Sequence, residues 1–573
     1  MRTALFTLLG AAFAASLPLA AQVQNHYIGT NITGQLVLTA TVNLSRIPQA
    51  ASLLGAKAYP EFKVAKTAPK LSASTVKTLA VPSMHSLPIT TAGLFGFDGL
   101  THRDQRLANG GNQFSVEPPS PSVAVGNGFI LEGVNNAVQV YSLAGTPLLP
   151  AVLATNQVFG LAPAINRVTG FNGVFPTDIR VFYDQAISRW FILQRAQDND
   201  ADGNNLDSSH LYIAVSQTAD PTQGYNVYTM NTTNASHFRC PCIADYPQIG
   251  ADQYGFYVSA NEYDTFFSQF VDAEIFAISK SALASGSMAP PISQVIVPFN
   301  TGYEFAIQPA TTPPGASYFL TNGGVEYFVS SQSRFLPDSN LALWAMTNTA
   351  SLNAATPALQ ITQTTVSALP YASPDIARQR PGPLPYGSSL TPPATLAFLD
   401  GGDTRVLALS YAGGRLYTTF GTLVTDENMS VLSGGAYVIM SPTLRGGILN
   451  GSTLREGYLQ VKNNSLLRPS IAVNAQGKGA ISFTLVGPDY YPSAAFIPVD
   501  TFSTGSAVGI VAPGAGPEDG FTGYDGGNVA RWGDYSSAVA ASDGSIWMGT
   551  EYIPNLPRTQ LANWGSFVFR YIP

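Results

Sequence analysis

Acidic residues between Asp198 and Asp207 have the spacing of a loop that binds a hard cation. Carboxylates two residues apart can converge on one ion, and Gly203 permits the sharp turn that wraps the chain around it. The flanking segments 190–193 and 211–215 have the composition of strands, so we expect the loop in a β-hairpin. A solvated acidic turn is the alternative. The spacing predicts a structural Ca²⁺ site with these ligands: the side chains of Asp198, Asp200 and Asp202, the backbone carbonyl of Asn204, and Asp207.

Cys240 and Cys242 are the only cysteines of the chain, and His237 precedes them. Two cysteines of an exported protein usually pair, although a bridge across one residue closes a small, strained ring that is easily reduced. Metal binding by His237, Cys240 and Cys242 is the alternative, and it lacks a fourth ligand. We predict a local disulfide that fixes the loop leading into Asp245.

Residues that could catalyse a reaction are sparse. The five histidines show no two-histidine metal spacing, and the sequence contains no nucleophile elbow, phosphate loop or dinucleotide fingerprint. A carboxylate with a tyrosine and an arginine could cleave a glycosidic bond, and the candidates are Glu262, Asp534, Tyr246 and Arg180. Arginine and aspartate at strand ends also commonly satisfy backbone groups and each other, and this structural role is the preferred interpretation.

Aromatic residues are concentrated between Tyr254 and Phe267, and again at Tyr490 and Tyr491. Most should pack in the interior, while a minority near loop tips could stack on sugar rings. Because charged residues are scarce, a neutral polymer is the better ligand. We therefore predict a binding or scaffold module for a polysaccharide or an extracellular protein. The alternative is a glycoside hydrolase or lyase that uses carboxylates in a central channel.

The composition limits both the partners and the fold. The 573 residues include 28 Lys and Arg against 35 Asp and Glu, a net charge of −7, which argues against nucleic-acid binding. Charged residues make up 11% of the chain, against about 25% in an average soluble domain. With 53 Gly, 41 Pro and 11% aromatic residues, the composition favours many short strands joined by tight turns.

The N-terminus indicates export. Arg2, an apolar run from residue 4 to residue 15 and the small pair Ala20 and Ala21 are typical of a secretory signal peptide over residues 1–21. An uncleaved anchor is the alternative. Later segments lack the ~18 uninterrupted apolar residues of a membrane span. The sequence predicts a secreted or periplasmic monomer.

Three further regions follow the predicted signal peptide. Residues 22–62 should form a short extension that contains a strand, since residues 34–43 alternate in polarity. Residues 63–94 contain no acidic side chain and have the composition of a linker. Residues 95–573 should form the main domain.

The main domain repeats a unit that consists of an inner strand, a polar turn and a second strand. Starts lie near residues 120, 177, 245, 305, 395, 468 and 534, and the copies beginning at Pro121 and Pro469 are the most alike. The copies near residues 305 and 395 are weaker, and in the first of these the second strand is predicted at residues 317–320. Each interval can hold four short strands. Such repetition is typical of an all-β propeller with seven four-stranded blades, and six or eight blades are also compatible. Two β-sandwiches are the alternative fold.

Three resemblances to known proteins accompany these patterns. The run Ser542-Asp-Gly-Ser-Ile-Trp547 resembles a degenerate Asp-box turn of sialidase-like propellers, which implies the same fold and a chemistry based on arginines, a Tyr/Glu pair and an acid. Residues 96–100, 111–119 and 245–252 are similar to runs in a group of exported bacterial proteins of unassigned function. The Asp198 loop resembles the first half of an EF-hand and calcium loops in propeller hairpins, but Ser209 stands where an EF-hand has glutamate.

Overall fold

Seven antiparallel sheets form a ring around a central channel. The computed structural model describes residues 24–32, 34–48, 86–266, 268–332, 337–524, 527–556 and 562–573. The innermost strand of each sheet contacts the innermost strand of the next, and the seventh contacts the first. The prediction of a seven-bladed β-propeller is therefore confirmed. The proposed signal peptide and residues 63–85 of the proposed linker lie outside the described residues.

The first four blades are consecutive in the sequence, and each is given from its inner to its outer strand. Blade 1 contains Ser122–Gly126, Phe129–Val134, Ala137–Ser142 and Leu153–Ala154. Blade 2 contains Phe175–Asp184, Arg189–Asn199, Asn205–Ser216 and Gly224–Asn231. Blade 3 contains Cys242–Ala251, Gly255–Asp264, Phe270–Ser279 and Ile292–Pro298. Blade 4 contains Gln308–Pro309, Val325–Ser331, Asp338–Thr347 and Gln360–Tyr371.

The last three blades complete the ring. Blade 5 contains Val406–Ala412, Arg415–Thr425, Val431–Arg445 and Ile448–Leu459. Blade 6 contains Ser465–Val473, Lys478–Val486, Ser493–Asp500 and Val508–Ala512. Blade 7 contains Ser537–Ala540, Ile546–Tyr552, Gly565–Tyr571 and, on its outer edge, Gly96–Thr101.

The ring closes where the two ends of the propeller meet in blade 7. The C-terminal strand Gly565–Tyr571 pairs antiparallel with Gly96–Thr101, and Phe567 lies opposite Asp98. Strands from opposite ends of the propeller thus share one sheet. This pairing joins the two ends of the propeller and closes the ring.

The N-terminal strands cover the outer edges of other blades. Asn25–Ile28 adds to blade 4, Thr30–Asn31 to blade 3 and Leu36–Asn43 to blade 2, all antiparallel. Ile89–Thr91 adds to blade 6 in the parallel direction. An exposed edge offers unpaired backbone groups to other chains. The added strands therefore protect four of the blades from pairing at their edges.

Two of the weaker sequence repeats are placed differently in the structure. The fifth inner strand begins at Val406 and not near residue 395, because Phe398–Leu399 pairs in parallel with Val529–Ala530 outside the blades. In blade 4 the second strand is Val325–Ser331, whereas residues 317–320 lie in a connection. Both connections are rich in Gly and Pro, which interrupt the inner-strand pattern.

Helices are few and short within the described part of the chain. The α-helices are His102–Leu107, Thr155–Val158 and Lys280–Ser285. The 3₁₀ segments are Leu44–Arg46, Ala108–Gly111, Thr321–Gly323, Thr349–Asn353 and Gly387–Ser389. None of these described helices has the length and apolar character that a membrane span requires.

Apolar side chains between neighbouring blades form the core. Phe191 of blade 2 stacks on Phe256 of blade 3 with ring centres 4.4 Å apart. All five tryptophans are buried. The expectation that most aromatic residues pack in the interior is met at Phe256 and Tyr257, which are fully buried. Such packing between blades holds the inner strands around the channel.

Candidate functional site

One residue in or just before the inner strand of several blades has an unusual backbone conformation. Ser120, Asp178, Tyr246, Ala306 and Arg468 all have φ between 48° and 58°, although none is glycine. In blades 2, 3 and 6 the pairing register shifts at this position, which marks a β-bulge. Bulges at a rim turn side chains away from their normal direction. This end of the channel, which we call the charged mouth, collects these side chains: Glu117, Asp178, Arg180, Arg195, Asp245, Tyr246, Asp403, Arg405, Arg468, Glu518, Arg531, Asp534, Tyr535 and Glu551.

Most arginines of the charged mouth are neutralised by carboxylates. Arg195 Nε lies 2.8 Å from Asp178 Oδ2, and Arg195 Nη2 lies 3.1 Å from Asp245 Oδ1. Arg405 binds both carboxylate oxygens of Asp403 at 2.7 Å. These pairs are mostly buried, so their charges are satisfied inside the protein and give little attraction for an anion.

Two arginines stack on tyrosine rings beside these pairs. The guanidinium carbon of Arg180 lies 3.3 Å from the centre of the Tyr535 ring and 5.6 Å from that of Tyr246. Arg405 lies 4.2 Å from the Tyr246 ring. Burial raises the pKa of Tyr246, and the nearby arginines offset only part of that rise. Its hydroxyl therefore stays protonated at neutral pH and is a poor nucleophile.

Glu117, Glu518 and Glu551 are the glutamates of the charged mouth. Burial and the neighbouring Glu117 carboxylate raise the pKa of Glu518 well above its usual range. Burial likewise raises the pKa of Glu551, which accepts a 2.8 Å hydrogen bond from the amide of Gly533. A raised pKa favours the protonated form of Glu518, which is the form that a general acid requires.

Glycine at position 520 allows two of these carboxylates to approach each other. A Cβ at Gly520 would lie 1.6 Å from Glu117 Oε1 and 2.5 Å from Glu518 Oε1. Residues 516–520 have the sequence Gly-Pro-Glu-Asp-Gly, which is a turn signal. Glu117 and Glu518 could not be identified as site residues from the sequence, because a turn signal does not reveal which distant carboxylate the turn will meet.

The charged mouth encloses little space. Its cavity has a volume of about 20 Å³ and is lined by Glu117, Asp178, Arg195, Arg531 and Asp534, among others. A cavity of this size holds about one water molecule. A sugar ring would fit only after the lining segments moved apart.

The predicted catalytic residues divide between two places. Arg180, Tyr246 and Asp534 all lie at the charged mouth, where Asp534 is 3.5 Å from Arg531. Glu262 lies opposite Ala244 in the second strand of blade 3 and is buried beside Glu274 and Asp272. The second strand of a blade lies one strand further from the channel than the inner strand. Glu262 is therefore not among the residues that line the charged-mouth cavity.

The opposite end of the channel, which we call the open mouth, is wider and nearly neutral. Its cavity has a volume of about 210 Å³. All seven inner strands or their ends contribute, mostly with small uncharged side chains, and the loop Pro313–Gly315 forms part of the rim. The lining residues include Ala124, Phe182, Tyr183, Asp184, Thr312, Ala316, Tyr318, Ser410, Ala472 and Ala538.

A buried ion pair removes the charge from one side of the open mouth. Lys280 Nζ lies 2.9 Å from Asp184 Oδ2, and both side chains are about 2% exposed. Lys280 also donates a hydrogen bond to the carbonyl of Asp252. Burial and the Asp184 carboxylate raise the pKa of Tyr318 above its usual value. The Tyr318 hydroxyl is therefore a neutral group at physiological pH.

The acidic loop lies in a hairpin between Arg189–Asn199 and Asn205–Ser216. Asp200 accepts hydrogen bonds from the amides of Asp202 and Asn204 at 3.0 and 2.8 Å, while Asp198 binds the Ser208 hydroxyl at 2.6 Å. Asp202, Asn204 and Asp207 are exposed. These hydrogen bonds stabilise the turn, and the calcium site stays a prediction.

Cys240 and Cys242 are joined by a disulfide at the start of blade 3. The amide of Cys242 donates a 2.8 Å hydrogen bond to the carbonyl of Thr233. This contact connects the beginning of the inner strand of blade 3 to the segment that leaves blade 2.

No protein-family model and no curated protein matches the sequence. Among solved structures, Trypanosoma rangeli sialidase in complex with sialic acid is similar with 11% identity and a TM-score of 0.30, over 69% of this chain and 54% of that one. An ancestral GH74 enzyme has 10% identity and a TM-score of 0.38, over 79% and 48%. The phage phi92 endosialidase has 9% identity and a TM-score of 0.34, over 84% and 68%. The chain thus spans about half the length of the sialidase and GH74 structures.

Proposed function

We propose that this protein is an exported binding module whose open mouth receives an uncharged sugar ring of a polysaccharide. The observation that carries this proposal is the cavity of about 210 Å³, which is lined by small neutral side chains from all seven blades. The paired charges of Lys280 and Asp184 add no net charge to the lining. A neutral ligand therefore fits this site better than an ion.

The lining of the open mouth has the two kinds of group that bind sugars. Phe182, Tyr183 and Tyr318 provide aromatic surface for the apolar face of a ring. Thr312 and Ser410 place hydroxyl groups at the same cavity, and hydroxyls both donate and accept hydrogen bonds. This combination favours a saccharide over a purely apolar ligand.

The size of the cavity limits how much of a polymer can enter. Pockets for drug-sized ligands measure about 300–1,000 Å³, so a cavity of about 210 Å³ suits a single ring. The neighbouring sugars of the polymer would lie across the face of the propeller. We expect weak binding, because one ring buries a small area.

Binding experiments with neutral polysaccharides test this proposal. Titration calorimetry against a panel of neutral and acidic glycans should give heat with a neutral polymer. Thr312→Trp should lower that affinity at least tenfold by filling the cavity, and Tyr318→Ala should lower it by removing a stacking surface. Arg531→Ala at the opposite mouth is the matched control and should bind normally. Unchanged binding by Thr312→Trp would contradict the proposal.

Hydrolysis at the charged mouth is a second candidate function. It is favoured by the raised pKa of Glu518 next to Glu117, because two adjacent carboxyl groups whose pKa values differ can act as a general acid and a general base. The cavity there holds about one water molecule, so residues 516–524 would have to move before a substrate could enter. Turnover of a glycoside that is lost in Glu518→Gln and retained in Thr312→Trp would support hydrolysis over binding.

A further inference from the structure

His237, Cys240, Cys242 and Glu262 converge in blade 3, outside both mouths of the channel. The two sulfur atoms and a carboxylate oxygen of Glu262 all lie within 4.8 Å of one another. Ligand atoms around a tetrahedral zinc ion are about 3–4 Å apart, so small side-chain movements would bring these three atoms to bonding positions. These side chains therefore have the composition and the spacing of most of a zinc site.

Glu262 is an unusual neighbour for a disulfide. Its side chain is 1% exposed, and it lies beside the carboxyl groups of Glu274 and Asp272. Carboxyl groups that are buried next to one another repel when ionised, which costs free energy. A cation placed between Glu262 and the two sulfur atoms would remove that cost.

His237 completes the set of four ligands, of which Glu262 is the one that the sequence did not indicate. Its Nδ1 lies 3.9 Å from the sulfur of Cys240, and its Nε2 lies 3.5 Å from Asp272 Oδ2. Histidines that bind zinc commonly direct the second ring nitrogen towards a carboxylate, which fixes the orientation of the ring. The ring of His237 is already oriented in this way, and its partial exposure gives the ion a route from solvent.

We propose that reduction of the Cys240–Cys242 disulfide creates a Zn²⁺ site with His237, Cys240, Cys242 and Glu262 as ligands. A dithiol reductant supplies two electrons and two protons, so the S–S bond breaks, two thiols form and the reductant becomes a cyclic disulfide. Zn²⁺ binding then releases both thiol protons to solvent. In the oxidised protein the sulfur atoms are bonded to each other, and the site cannot form.

Metal binding by the full chain after reduction tests the proposal. The protein is reduced without oxygen by dithiothreitol, desalted and dialysed against Zn²⁺, and bound metal and free thiols are measured. One Zn²⁺ per chain is expected in the reduced protein, and none at these residues in the oxidised protein. Equal metal content in the two forms would overturn the proposal.

Single substitutions separate this site from a cysteine pair that binds metal alone. Glu262→Gln and His237→Gln should each weaken Zn²⁺ binding at least tenfold in the reduced protein. His210→Gln is the matched control, because His210 also lies beside an aspartate, Asp198, but far from cysteine in the sequence. Wild-type affinity in both Glu262→Gln and His237→Gln would refute the four-ligand site. Folding of each variant is checked by circular dichroism, and alkylation of the reduced wild type should abolish binding without any substitution.

Discussion

Glu132 in the second strand of blade 1 accepts a hydrogen bond from the hydroxyl of Ser566 in the C-terminal strand of blade 7. The same carboxylate accepts a 3.0 Å hydrogen bond from the amide of Leu100, in the strand that closes the ring, and a 3.1 Å bond from the Tyr141 hydroxyl. A single buried carboxyl group therefore connects the first blade to both strands that close the propeller.

Stability should fall with rising pH because of Glu132. Burial raises the pKa of Glu132 to about 7. Between its ordinary value and about 7, the folded state binds a proton that the unfolded state does not, so the group stabilises the fold at low pH. That contribution, about 3 kcal/mol in full, is lost as pH rises through 7. Urea unfolding of wild type and Glu132→Gln at pH 5, 6, 7 and 8 should show a smaller decline in the variant.

Glu427 provides a control for this measurement. Hydrogen bonds from Ser86 lower the pKa of Glu427 to about 2, so it does not titrate between pH 5 and 8. Glu427→Gln should therefore leave the pH dependence in that range unchanged. A decline in Glu132→Gln as steep as that of wild type would contradict the role assigned to Glu132.

Removal of Lys280 should destabilise the protein strongly. Lys280→Met leaves Asp184 buried without its cation, and breaking a buried pair in this way typically costs about 3–5 kcal/mol. The double variant Lys280→Met/Asp184→Asn should recover part of the loss, since asparagine can still accept the 2.9 Å hydrogen bond from the amide of Ala186. Chemical unfolding gives the free energy of unfolding of both variants. Lys478→Met, at an exposed lysine, is the control, and an equal loss of stability in it would show that the loss does not come from the buried ion pair.

Gly520→Ala should disturb the charged mouth. The added methyl group would meet the Glu117 carboxylate at 1.6 Å, so Glu117 or residues 516–520 must move. We expect a loss of about 1–3 kcal/mol, which is typical of overpacking. Gly516→Ala is the matched control, because nothing lies within 4 Å of its added Cβ. Neutral surface substitutions change the free energy of unfolding by up to about 0.5 kcal/mol. A smaller difference than this between the two variants in thermal unfolding would show that Gly520 is not required by the close contact with Glu117.

The inner strands could be predicted from the sequence because their signal is local. Blades 1 and 6 repeat Pro-Ser-Val-Ala-Val and Pro-Ser-Ile-Ala-Val, and in both the residue before proline has positive φ. The start of blade 5 was misplaced because the Phe398–Leu399 segment has the composition of a strand but finds its partner at Val529–Ala530. A short apolar run does not encode which segment it will pair with.

The candidate sites depend on contacts between distant parts of the chain. Arg180, Tyr246 and Asp534 were predicted because they lie near repeat starts, and these positions meet at one end of the ring. Arg195 was not predicted, since it lies within a second strand and its two aspartate partners belong to different blades. The open mouth was also not predicted, because small neutral residues such as Ala124, Ala472 and Ala538 carry no chemical signal in a sequence.

Calcium should stabilise the protein if the acidic hairpin loop binds it. A ligand at a hundred times its Kd stabilises the folded state by about 2.7 kcal/mol, so Ca²⁺ added to metal-free protein should raise Tm. Asp200→Asn should abolish this rise, because the substitution removes a charged ligand from the centre of the loop. The side-chain carbonyl of the new asparagine can still accept the hydrogen bonds that stabilise the turn. Asp220→Asn is the matched control, since Asp220 accepts a similar 2.9 Å turn bond from the amide of Thr222 in another loop. An equal rise in Asp200→Asn would place the cation elsewhere, and no rise in wild type would identify the loop as a solvated acidic turn held by its own hydrogen bonds.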